Sequence, residues 1–324
     1  MQVMLSSFPG TISLSLSSVC PAQCIWCPIG RRETKLHKKA FMSLEIVDKV
    51  IKDTLGRYVG CFVFADMGEP LMNPHFKEIV LRIRAAHPES KLILGSNFLL
   101  MDKNMADFVA ENFSHPIIPP SITIVGGMND IVGLNIDGVT DEGYFAVKRL
   151  PLSVVLGNLV YFIKVREEKK SLCQIHVSIT TEPRYYLELG EPEKSTVKDE
   201  TRAIASLMRG LLRVGMGDEV NSSITATWAE RNRWNKPKSN FIPTMPTVPN
   251  VCMNMFNIGL KCFIDTDGNI IPCCLDYASE KVYGNILTNT IDEIWNGEKR
   301  AEFIKLITTV QYDKIGLPCS ICQD

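Results

Sequence analysis

The sequence predicts an α/β fold: a partial (β/α) TIM-like barrel of parallel strands, followed by a small C-terminal cysteine-rich domain containing a β-hairpin and a helix. Three observations carry this. From residue 12 to about 240, short apolar runs alternate with amphipathic stretches, the pattern of a parallel sheet with covering helices. Residues 236–250 (KPKSNFIPTMPTVPN) hold four prolines and read as a connector. Of the 11 cysteines, three form a tight triplet near the start and two a C-x2-C at the finish. The boundaries drawn from these features are 1–240 for the barrel and 241–324 for the cysteine-rich domain.

The elements follow in order. In TISLSLSSV, Ile12, Leu14 and Leu16 lie two apart, as on a strand, and the run empties into the cysteine triplet. Residues 43–55 have a helical period with Ser43 as N-cap. CFVFA at 61–65 is a short buried strand, and 75–87 a helix. KLILGS at 91–96 is the next strand, and 101–113 another helix. IVGLNI at 131–136, QIHVSIT at 174–180 and SSITATW at 222–228 are later strands, with helices at 153–165 and 199–213. Residues 187–199 read as an exposed polar loop. Sites in such folds gather at the C-terminal ends of strands, and the triplet stands at such an end.

The bulk figures narrow the function classes. A chain of 324 residues with 45% apolar and 22% charged residues is globular. A formal net charge of -1 gives no support for a nucleic-acid footprint. No run of eighteen apolar residues exists, so no spanning helix and no membrane partner are expected. The N-terminus has no basic region and its apolar residues alternate, unlike a secretory signal. Clustered cysteines in a chain of this length fit metal ligation in a reducing cytoplasm better than a disulfide framework.

Cys20, Cys24 and Cys27 form the C-x3-C-x2-C of CPAQCIWC. Three thiolates so spaced can hold three irons of a [4Fe-4S] cube and leave the fourth open. Zinc completed by a distant ligand such as His37 is the competing use. The triplet resembles the signature of radical S-adenosylmethionine (SAM) enzymes, and the resemblance continues beyond it. Trp26 stands where the family often has an aromatic residue near adenine. FADMGEPLMNP at 64–74 is similar to the family's glycine-glycine-glutamate strand end, with Met67 replacing the first glycine. The resemblance implies that Asp66, Gly68 and Glu69 meet the amino group of SAM. Ser96 and Asn97 match a polar pair facing its ribose or carboxylate. LNIDGVTDEGYFAVKR at 134–149 matches a stretch around Asp137 and Gly138, with Asn135 pointing inward. Lys148 and Arg149 lie near a family arginine and receive no role.

Residues from Cys252 onward resemble the SPASM or twitch auxiliary domains. IDTDGNIIPCC reads as a tight turn between two short strands, and IDEIWNGEKRAEFIKLI as one helix packed onto the hairpin through Trp295. The resemblance implies one auxiliary [4Fe-4S] cluster on Cys252, Cys273, Cys319 and Cys322, with Cys262 and Cys274 competing for the second place. A four-cysteine zinc site has the same donor count.

The implied chemistry is reductive cleavage of SAM to a 5′-deoxyadenosyl radical that abstracts a substrate hydrogen. The implied partners are an electron donor such as flavodoxin or ferredoxin, and a substrate. The first reading of the substrate is a ribosomally made precursor peptide, with a separate protein supplying leader binding because the N-terminus carries no such domain. The alternatives are a dehydrogenase or epimerase of an aminocyclitol or sugar, and a non-catalytic metal-binding scaffold. Cys262, Cys274, Cys173 and Cys61 are candidate hydrogen donors. Glu182 and Arg184, beyond a strand end, are substrate-side candidates, as are His176, Arg231 and Trp234 more weakly.

Overall fold

The computed structural model describes residues 6–25, 27–31, 40–114, 129–138, 140–179, 224–228, 252 and 255–320. It forms two compact units. One comprises Met1–Cys20, Trp26–Gly95 and Arg233–Asp324; the other comprises Pro21–Ile25 and Ser96–Asn232.

In the first unit, β1 (Thr11–Leu14), β2 (Cys61–Phe64) and β3 (Lys91–Gly95) are parallel neighbours. On the other side of β1 lies β7 (Lys261–Ile264), also parallel, in the register Ile12 to Cys262. β7 then turns back into β8 (Asn269–Ile271) and β9 (Gly284–Asn285), both antiparallel. The first strand of the cysteine-rich region is therefore a strand of the same sheet as β1. Alternation decides the two faces. Ile12, Leu14, Phe62, Phe64, Leu92, Leu94, Cys262 and Ile264 are all fully buried on one of them. Each such apolar side chain contributes about 1.5–3 kcal/mol.

Helix α2 (Leu44–Thr54) and helix α3 (Phe76–Ala86) bury Ile46, Val47 and Val50, and Ile79, Val80 and Ile83. Phe76 meets Phe64 edge-on at 6.4 Å, which docks α3 on the apolar face of β2. Ser43 takes the N-cap position of α2, but its hydroxyl makes no capping bond. The hairpin turn is set by Asp265, whose carboxylate accepts the N–H groups of Asp267 and Asn269, both at 2.9 Å. The single helix expected over 291–307 is two, Ile291–Trp295 and Glu298–Thr308. Gly297 is extended between them and serves as the second N-cap, so the chain bends there.

In the second unit, β4 (Ile131–Ile136), β5 (Gln174–Ile179) and β6 (Ile224–Trp228) are parallel, in the order β6-β5-β4. Three helices accompany them: α4 (Lys103–Asn112), α5 (Asp141–Lys148) and α6 (Leu152–Glu168). Asp102 caps α4 through the N–H of Met105. The expected helix at 199–213 and the loop at 187–199 lie outside the described residues. Among the described residues no single helix is long and apolar enough to cross a membrane.

Candidate functional site

The segment that feeds the cysteine triplet is zipped to the turn after β2. Beyond β1 the chain passes Ser15, whose N–H reaches Ile264 O at 2.9 Å, and arrives at Ser17, Val19 and Cys20. The turn Met67–Glu69 lies directly against it. Glu69 N donates to Val19 O at 2.8 Å. Gly68 has φ +60, and a Cβ placed on it would stand 2.3 Å from Ser17 O and 2.7 Å from Val19 O. Only glycine allows this approach.

The rest of the stretch is equally engaged. Glu69 is 2% exposed and accepts the Leu71 N–H at 3.4 Å, opening the short 3₁₀ turn Pro70–Met72. Buried Asn73 donates to Leu16 O at 2.8 Å and Met42 O at 3.0 Å, and accepts the His75 N–H at 2.8 Å. No sequence pattern assigns Asn73 a role of its own; in the fold it braces the entry to the cysteine loop. Asp66, at φ +74, accepts from the Ser13 hydroxyl and pairs with Lys261 at 3.3 Å. Its carboxylate is thus already matched to a cation from β7. Met67 is buried.

Within the second unit, Cys24 sits between two anchored residues. Gln23 N donates to Lys148 O at 2.8 Å, and Ile25 N to Val147 O at 3.1 Å. These are last-turn carbonyls of α5, which the helix itself leaves without partners. The end of α5 is in turn fixed by a buried ion pair, Lys148 Nζ to Asp137 at 2.8 Å, with both residues under 5% exposed. The same ammonium donates to Asn135 O. Lys148 therefore braces the end of α5, a part that its place in the sequence does not reveal. Its partner lies eleven positions away, and only the turn between β4 and α5 brings them together. Lys148→Met is expected to cost about 3–5 kcal/mol, because it strands a buried carboxylate. Chemical denaturation checks this, and Lys148→Met with Asp137→Leu should recover most of the loss.

Ser96 and Asn97 follow β3 and shape the bend there. Ser96 Oγ accepts from Phe98 N at 3.0 Å, and Asn97 Oδ1 from Leu99 N at 2.9 Å. Asn158 of α6 holds the same bend through Phe98 O at 2.8 Å. The Asn135 side chain is exposed on β4.

The cysteine-rich region brings four thiols into one neighbourhood. Burial pushes the Cys273 thiol well above its ordinary range, and neighbouring Cys274, Cys319 and Cys252 push it further. Soft thiols gathered around one buried cysteine are the donor set an iron–sulfur cluster or zinc takes. The buried Tyr283 hydroxyl has no hydrogen-bond partner among the described residues. Among the described residues no three side chains already close into a ligand cage. Asp276 fixes the loop after Cys274 by accepting the N–H groups of Glu280 and Lys281, both at 2.8 Å. Burial pushes its carboxyl up to about 6.

Cys262 lies on β7, in register with Ile12 of β1. It is fully buried on the apolar face of β7, and burial pushes its thiol up to about 12. Cys173 is likewise fully buried, its thiol pushed up by burial and by Asp130. Cys61 is buried at the start of β2. His176 on β5 has its pKa lowered by burial. Trp26, His37, Glu182, Arg184, Arg231, Trp234 and Cys322 lie outside the described residues.

Residues 252–323 match the family model of SPASM, an iron–sulfur cluster-binding domain. Three solved structures share the fold across most of the chain. BtrN in complex with AdoMet and 2-DOIA is 14% identical, with 95% of this chain and 90% of that one covered and a TM-score of 0.52. Streptococcus suis SuiB bound to precursor peptide SuiA is 12% identical, with 93% and 67% covered and a TM-score of 0.55. The anSMEcpe structure with bound AdoMet is 15% identical, with 91% and 83% covered and a TM-score of 0.58. A search of curated proteins found no match to the sequence. The mixed α/β architecture with a mainly parallel sheet is thus shared with the partial barrels of these structures. The chain shares the fold of these structures, and its residues 252–323 match the SPASM iron–sulfur cluster-binding domain.

Proposed function

We propose that this protein is a radical SAM enzyme whose core spans 1–240 and whose auxiliary domain spans 241–324. The observation that carries the reading is the contact at Gly68. It joins the Met67–Glu69 turn to the segment entering Cys20, which is the geometry needed if one ligand is to touch both. Cys20, Cys24 and Cys27 would hold a [4Fe-4S] cluster with one open iron, and Cys252, Cys273, Cys319 and Cys322 a second, with Cys274 in the same thiol neighbourhood. Bound SAM and the two clusters would supply a 5′-deoxyadenosyl radical and a path for the substrate's electron.

This chain's own residues do the positioning. Gly68 lets main-chain oxygens approach a ligand closely, and Glu69 and those oxygens are acceptors for an ammonium group. Asp66 is held by Lys261 and Ser13, so it acts by fixing the turn. Ser96 and Asn97 shape the bend after β3, where a ribose or carboxylate would lie. Lys148 and Asp137 hold the carbonyls from which Gln23 and Ile25 hang, and so set where Cys24 stands. Trp26 is assigned to the adenine side. Glu182 and Arg184 are assigned to the substrate, Arg184 through its two-pronged guanidinium. Cys262 is assigned to the core.

The first substrate reading is a ribosomally made precursor peptide, supported by the shared fold with SuiB, which was solved with its precursor peptide. A metabolite of the aminocyclitol or sugar class is the second reading. The near full-length match to BtrN, solved with 2-DOIA, favours it. A flavodoxin or ferredoxin would deliver the electron. The test is anaerobic 5′-deoxyadenosine formation by reconstituted, reduced protein, given peptide and small-molecule fractions in turn. Stimulation by the peptide fraction supports a maturase, and stimulation by the small-molecule fraction alone transfers the assignment to a metabolite. No 5′-deoxyadenosine under any condition overturns the enzyme reading in favour of a metal-binding scaffold.

A further inference from the structure

The cysteine-rich region contains a buried donor with no acceptor. Tyr283 immediately precedes β9 and is 9% exposed. Its ring is locked edge-on against Phe303 at 5.5 Å, and its N–H is spent on Ile270 O at 2.9 Å. Its hydroxyl has no hydrogen-bond partner. Leaving such a group unpaired costs about 1–3 kcal/mol, and each such group in a folded protein calls for an explanation.

The strand register says where the phenol lies. Asn269 pairs with Asn285 and Ile270 with Gly284, so Tyr283 faces Ile271 across the ladder. Cys273 lies two residues beyond Ile271, just past the end of β8. The electrostatics agree: Tyr283 feels burial first, then Arg300, then Cys273 and Cys319.

Arg300 completes the picture. It is 5% exposed, lies 3.4 Å over the Trp295 ring, and donates to Trp295 O at 2.9 Å and Ile258 O at 3.1 Å. Those partners are neutral, and its Nε is unpaired. Burial lowers its pKa, and the groups that oppose this are Tyr283 and Cys262. A buried cation held on neutral carbonyls calls for an anion nearby.

We propose that the Tyr283 hydroxyl donates a hydrogen bond to a sulfur of the auxiliary iron–sulfur cluster, with Arg300 as its buried countercharge. The inference rests on the auxiliary-cluster reading of the cysteines and goes beyond it by naming what tunes that cluster. A cluster on four thiolates is anionic and gains one further negative charge on reduction. A hydrogen bond to sulfur and a nearby cation favour the reduced form, so together they raise its reduction potential. Tyr283 is thus a tuning residue, not a ligand.

The test is Tyr283→Phe in full-length protein carrying Cys20→Ala, Cys24→Ala and Cys27→Ala, so that only the auxiliary cluster is seen. Iron and sulfide content should be unchanged. In an electron-paramagnetic-resonance redox titration, the reduced-to-oxidised ratio at a fixed potential should fall about tenfold, a shift of about 59 mV for one electron. Without metal, Tyr283→Phe should be at least as stable as its parent, because it removes an unpaired hydroxyl; a purely structural hydroxyl would make it weaker. An intact cluster with an unmoved potential overturns the hydrogen bond alone. A parent protein that takes up zinc but no iron–sulfur cluster overturns the cluster reading along with it.

Discussion

Gly68→Ala is expected to destabilise the protein by about 2–5 kcal/mol and to abolish 5′-deoxyadenosine formation. Two costs add. A residue with a Cβ pays about 1–2 kcal/mol for a left-handed backbone, and Gly68 sits at φ +60. The new methyl would also stand 2.3 Å from Ser17 O and 2.7 Å from both Ser17 C and Val19 O. These are main-chain atoms of the segment running into Cys20, so no side-chain rotation relieves the clash. Overpacking of this kind costs about 1–3 kcal/mol. The turn must swing away, and the bond from Glu69 N to Val19 O goes with it. Gly56→Ala is the internal control. Gly56 has φ +71 with nothing within 4 Å of the added Cβ, so it should show the backbone cost alone and full activity. Denaturant midpoints for the two variants separate strain from collision. Equal losses would mean that the close approach at Gly68 does not matter.

Cys24→Ala is expected to lower SAM cleavage below detection while leaving the fold intact. Cys24 is only partly buried, so its loss removes little packing. Its backbone neighbours remain tied to Val147 O and Lys148 O. What is lost is one of three thiolates, and a cube held by two is not retained. Reconstituted Cys24→Ala should therefore carry about half the iron of the parent, all in the auxiliary site, if each site holds one cube of the same size. Its unfolding midpoint should match the parent's. Cleavage surviving in Cys24→Ala would remove the triplet from the catalytic assignment.

The order of strands and helices was legible because strands of a parallel sheet are buried on both faces. They read as apolar runs such as CFVF and KLILG. The expectation of metal binding at the triplet rests on ligand spacing, a local property: CPAQCIWC puts three thiols within eight residues. The errors are local too. The helix Asp141–Lys148 was not foreseen, because DEGYFAVK is short and opens with two carboxylates instead of an apolar period. One continuous helix was expected where Gly297 bends the chain, since the apolar period runs on across the break.

What the sequence by itself determined was the expected class of chemistry, since a thiol triplet and a SPASM-like tail are patterns of residue type and spacing. The tertiary structure decided which polar groups answer one another. Asp66 could be read as an acceptor for an ammonium ligand until Lys261, 195 residues away, was seen to occupy it. Asn73 bracing Leu16, Lys148 paired with Asp137, and Tyr283 beside Cys273 and Cys319 leave no periodic trace in the chain. The physical reason is that a buried polar group must be satisfied by whatever the fold brings within about 3 Å of it, and chain order places no limit on where that partner comes from.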